Sequence, residues 1–175
     1  MKMSNIKKVA LLTCLITAVG VTAASAHVEF SPDTVKANQN QILVLNVPHD
    51  CTAATQTTEV KFQLPKSINT STFAAVGVFQ HGKLLKSWQE KIVKSAGRSY
   101  LKVFGPAITT GPDGGKNAAD IKFKLTPAGA KGSQLKFPAV QTCTKGLTVN
   151  WIQPRPADGS DPAESATPVP VLNLN

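Results

Sequence analysis

One short pattern recurs along this chain and limits what it can fold into. Val60, Phe62 and Leu64 alternate with Glu59, Lys61 and Gln63, and Pro65 ends the run. Successive side chains on a strand point to opposite faces, so this is the pattern of a strand with one dry and one wet side. The alternation returns at residues 100–104, most clearly at 120–125, and at 147–152 ahead of Pro154. Residues 42–47 form a run that is apolar but for Asn46 and is stopped by Pro48, as a buried strand would be. No segment sustains a 3.6-residue period. The nearest is 84–93, where Leu84, Leu85, Trp88 and Ile92 share a helix face or lie on a strand with a bend. Sheets with one apolar face must bury it against each other, so the expected fold is an all-β antiparallel β-sandwich of about seven to eight strands.

The chain has 175 residues, and its formal charge of +9 invites a nucleic-acid or membrane reading. Part of that charge has another meaning. Lys2, Lys7 and Lys8 precede an apolar stretch from Val9 to Val21, and the small residues Ala24-Ser25-Ala26 follow. This is the layout of a cleaved secretory signal peptide over residues 1–26. The stretch is about 13 residues long, short of the ~20 that span a bilayer, so no stable membrane insertion is expected after cleavage. Cys14 lies inside the apolar run rather than at its end, which argues against lipid attachment there. Cleavage leaves 16 of the 19 basic side chains against 10 acids, and those lysines are dispersed among apolar neighbours. A nucleic-acid groove needs clustered charge and stacking aromatics, so no nucleic-acid partner is expected. The expected organisation is a signal peptide (1–26), a sandwich domain (27–154) and a Pro-rich extended C-terminal tail (155–175) that packs poorly. The expected location is periplasmic or secreted.

Two cysteines remain after cleavage, Cys51 and Cys143, in a compartment where thiols oxidise. A disulfide is the expected use. Closing a loop of about 93 residues would stabilise the fold by roughly 4–5 kcal/mol on the chain-entropy model.

Cleavage after Ala26 also makes His27 the first residue. A free α-amine and Nδ1 of the same imidazole can chelate one metal ion, which suits Cu(II) with its preference for nitrogen donors in a tetragonal plane. The amine has a pKa near ~8, so a metal can displace its proton at neutral pH.

Further segments carry a resemblance. His27-Val28-Glu29-Phe30-Ser31-Pro32, then Val47-Pro48-His49-Asp50-Cys51, then residues 57–65, and finally 137–146 leading into Val149-Asn150-Trp151-Ile152 resemble the YcnI-like family of exported copper-binding domains. The likeness spans nearly the whole mature chain. It implies an immunoglobulin- or cupredoxin-like β-sandwich in which the N-terminal histidine grips one Cu(II) as a single-histidine brace, with an acidic side chain and a tryptophan close by. His27 matches the brace and Trp151 the tryptophan. Asp120, opening an alternating strand, is the preferred acid. Glu29 competes because i and i+2 on a strand face one side, and Asp113 in the Gly-rich turn is third.

His49 and Cys51 form a His-x-Cys pair that could bind Cu(I) or Zn(II) if the thiol stayed reduced. The disulfide is preferred, leaving His49 as a loop residue or secondary copper contact. His81 reads as a hairpin-turn residue and Trp88 as core. Both methionines lie in the signal peptide, so a methionine-rich Cu(I) site is excluded. The chain offers no Gly-x-Ser-x-Gly and no phosphate loop. The function expected is copper trafficking or homeostasis without catalysis, with another copper-handling protein as the exchange partner. The alternatives are a copper oxygenase, for which His49 or His81 would have to complete a three-nitrogen brace, and a periplasmic interaction module that binds no metal.

Overall fold

The alternating segments become strands in a computed structural model, which describes residues 27–47, 51, 55–108, 119–158, 160 and 166–175. Those residues form β1 (Glu29–Ser31), β2 (Thr34–Val35), β3 (Gln41–Val47), β4 (Thr57–Gln63), β5 (Ala74–Gln80), β6 (Lys83–Leu84), β7 (Gln89–Ser95), β8 (Arg98–Phe104), β9 (Ala119–Leu125), β10 (Gln134–Lys136), β11 (Ala139–Cys143), β12 (Thr148–Trp151) and β13 (Val171–Leu174). One five-stranded sheet runs β1-β3-β9-β5-β6 and a second runs β12-β11-β4-β8-β7. A small third sheet, β10-β13-β2, contains the parallel pair β13 and β2. The other pairings are antiparallel. The expected all-β sandwich is therefore what forms. Its expected seven to eight strands correspond to the longer members of the two large sheets, and most of the others are short edge strands.

Alternation explains the register. In β9, Ala119, Ile121, Phe123 and Leu125 are buried while Asp120, Lys122 and Lys124 face outward. In β4, Val60 and Phe62 turn inward. The two sheets meet where Phe62 packs on Phe123, ring centres 5.5 Å apart. Phe137 joins them from the link between β10 and β11, with its ring 4.7 Å from that of Phe30. Burying each such side chain is worth about 1.5–3 kcal/mol.

The ambiguous stretch at 84–93 is neither a helix nor one bent strand: β6 ends at Leu84 in one large sheet, a turn closes where Trp88 N–H donates to Leu85 O, and β7 begins at Gln89 in the other. Trp88 packs against the core, as expected, and its Nε1–H donates to Pro106 O at 3.1 Å. His81 is a turn residue, as expected. With Gly82 it forms a two-residue hairpin turn in which both residues have positive φ, the form that matches strand twist.

Cys51 and Cys143 form the expected disulfide, with Cα atoms 6.0 Å apart, and join the segment before β4 to the end of β11. The C-terminal segment differs from expectation. Val169, Val171, Leu172 and Leu174 are buried, β13 sits between β10 and β2, and Phe137 N–H donates to Pro170 O. The apolar residues after Pro168 outweigh the polar, Pro-rich composition preceding them, so the tail ends as an integral strand. Residues 1–26 with Cys14, and also His49 and Asp113, lie outside the described residues. No helix among the described residues is long and apolar enough to cross a membrane.

Candidate metal centre

β1 and β12 are the edge strands at one side of the two large sheets. His27 lies two residues before the start of β1, and Trp151 is the last residue of β12. The two rings meet edge to face across the seam, with centres 6.2 Å apart and planes at 77°. Both side chains are nearly withdrawn from solvent, His27 at 6% and Trp151 at 5% exposure. Val28, fully buried, anchors the chain between His27 and β1. A buried indole needs a partner for its N–H, and Trp151 Nε1 donates to Gln141 Oε1 at 3.1 Å.

Glu29 lies beside this pair. Its Oε1 is 3.9 Å from His27 Nδ1 and accepts a hydrogen bond from Arg155 Nη2 at 3.2 Å. Two donors each about 2 Å from a shared first-row ion stand at most about 4 Å apart, so Nδ1 and Oε1 are within the span of a single ion. Glu29 and Arg155 also wall an open cleft of about 430 Å³ shared with Asp33, Gln134 and Asn173. The carboxylate is thus reachable from outside, while Trp151 covers the ring of His27. Among the described residues no three His, Cys, Asp or Glu side chains converge. The α-amine that cleavage would release at His27 is a donor of another kind.

Asp120 is engaged elsewhere. It accepts a hydrogen bond from Asn46 Nδ2 at 2.8 Å. Glu29, Asn46 and Asp120 are cross-strand partners in one row over β1, β3 and β9, so Asn46 separates the two acids. With neighbouring strands about 4.8 Å apart, their backbones are roughly 10 Å from each other. The fold brings together His27, Glu29 and Trp151, and pairs Asp120 with Asn46.

A model of the family described as "Domain of unknown function (DUF1775)" matches residues 27–174. The chain belongs to the DUF1775 family. The DUF1775 match includes β13 and starts at His27. Among solved structures, an uncharacterized protein from Nocardia farcinica with an immunoglobulin-like fold is 20% identical at a TM-score of 0.61, covering 86% of this chain and 99% of that one. The sixth cohesin of scaffoldin B from Acetivibrio cellulolyticus is 9% identical at a TM-score of 0.43, over 85% of this chain and 98% of that one. The first likeness agrees with the immunoglobulin-like sandwich of this DUF1775 domain, and the second is too distant to bear on it. No curated protein matches the chain.

Two residues at the centre are not singled out by the sequence reading. Arg155 reaches Glu29 across 126 positions from the segment read as tail. Gln141 lies between Ala139 and Cys143 at the same parity, so the alternation of β11 does place it inside.

Proposed function

We propose that the mature protein is an exported, periplasmic or secreted copper-binding protein. It holds one Cu(II) through the α-amine and imidazole of His27, with Glu29 as the carboxylate and Trp151 beside the metal. It carries copper as cargo, exchanging it with another copper-handling protein in trafficking or homeostasis, and catalyses no reaction. The observation that carries this reading is the buried His27 ring fixed against Trp151, with Glu29 Oε1 3.9 Å from Nδ1. A solvated, wandering terminus would place neither group so. The family match that starts at residue 27 supports cleavage after Ala26, which would make the amine available.

The donor chemistry favours copper. An amine and an imidazole nitrogen from one residue suit Cu(II), which stands highest among divalent first-row metals in affinity for such sites. Glu29 contributes negative charge at the open side, and its bond from Arg155 holds the carboxylate in place. Trp151 keeps water from one face of the imidazole and restricts its rotation.

The test uses mature protein beginning at His27, titrated with Cu(II) against a competing chelator and followed by electron paramagnetic resonance. One Cu(II) per chain is expected, with a nitrogen-containing donor set. One extra alanine before His27, or His27→Ala, is expected to weaken binding at least 100-fold. Glu29→Gln is expected to weaken it about 10-fold and Asp120→Asn to leave it within twofold. Unchanged affinity in His27→Ala overturns the reading.

A further inference from the structure

Gln141 is a primary amide with no exposure, set in β11 among apolar side chains. A buried amide is tolerated only when its hydrogen bonds are made. Its Oε1 accepts from Trp151 Nε1, and its Nε2 donates to Thr57 Oγ1 at 2.6 Å. Thr57 is also fully buried, and its Oγ1 is 3.9 Å from Cys143 Sγ. The other half of the disulfide, Cys51 Sγ, lies 4.0 Å from the main-chain oxygen of Gln141. Gln141 thus links the indole that faces His27 to the Cys51–Cys143 bond, through Thr57 on the Cys143 side and through its own main chain on the Cys51 side. Closing the sandwich requires no such chain, because an aliphatic residue of similar size would fill the space. It would also strand the indole N–H without its acceptor.

We propose that Gln141 is a positioning residue for the metal centre: it fixes the Trp151 indole against His27 and couples that pose to the disulfide. The effect on copper rests on the function proposed above, whereas the hold on the indole does not.

The experiment uses the full mature chain with ¹⁵N-labelled indoles, the two resonances being distinguished by Trp88→Phe. In the oxidised protein the Trp151 indole N–H is expected to exchange with solvent at least 100-fold more slowly than a free indole. Reduction of the disulfide under conditions that keep the sheets folded is expected to speed that exchange at least tenfold. Gln141→Met is expected to speed it similarly and to raise the Cu(II) Kd about 10-fold. In a Trp151→Phe background, which has no indole N–H to hold, Gln141→Met is expected to change the Kd less than twofold. An undiminished Kd effect in that background shows a general structural role and overturns the proposal. So does fast indole exchange in the wild type, which decides the matter even if Gln141→Met fails to fold. Exchange unaltered by reduction overturns the coupling to the disulfide. A wild type that binds no Cu(II) overturns the proposed function, and indole exchange in the wild type and in Gln141→Met then decides the role of Gln141 alone.

Discussion

Two polar side chains on inward-facing strand positions show how differently one residue can stand in this interior. Gln141 has both ends of its amide bonded. Glu90, on the same side of β7 as the core-packed Ile92, has both carboxylate oxygens buried without a hydrogen-bond partner among the described residues. Burial pushes its carboxyl from the ordinary 4.5 up to about 7. Between those values the folded protein retains a proton that the unfolded chain has released, so stability falls as pH rises through this window and is fully present below it. The residue as a whole is only half-buried, so the loss is expected to be about 1–2 kcal/mol. Glu90→Gln should raise the Tm at pH 8 and leave it unchanged at pH 4.5, as thermal unfolding at the two pH values would reveal. At this scale the sequence names His27, Glu29 and Trp151 through the chemistry of a cleaved terminus and a family likeness. It prefers Asp120 to Glu29, because the row in which Asn46 stands between the two acids is set by strand pairing.

Elements with a local signal were the legible ones. The period of two in β4, β8 and β9 follows from side-chain geometry alone, and the turn at His81-Gly82 follows from its residues. β13 was hidden because strand formation there depends on partners far away: β10 on one side and β2 on the other. Its Leu172 has no exposure. Leu172→Ala is expected to cost about 2–5 kcal/mol, the range for emptying a buried leucine site, and denaturant unfolding would measure it. A loss within 0.5 kcal/mol would show that the last strand is only draped on the surface. The crossing from one sheet to the other at 84–93 is undecidable from periodicity because its apolar positions satisfy two templates at once. Partner strands decide it, with β6 beside β5 and β7 beside β8.

The whole molecule is a sandwich whose two large sheets come from interleaved parts of the chain, with β3 and β9 in one and β4 and β8 in the other. The disulfide adds a covalent tie over a sequence separation of 92 residues. Its reduction, or the pair Cys51→Ala and Cys143→Ala, is expected to lower stability by about 2–5 kcal/mol, read by calorimetry with and without reductant. Three of the nine excess positive charges precede residue 27. The lysines of the described strands lie on outer faces, as Lys61 does over Tyr100 and Lys122 over Phe79. The pairing of Thr34 with Asn173 has a temporal meaning as well. A polypeptide made from its N-terminus outward holds β2 and β10 without their common neighbour until Val171–Leu174 arrive. Closure of the third sheet therefore waits for β13, however much of the two large sheets has already formed.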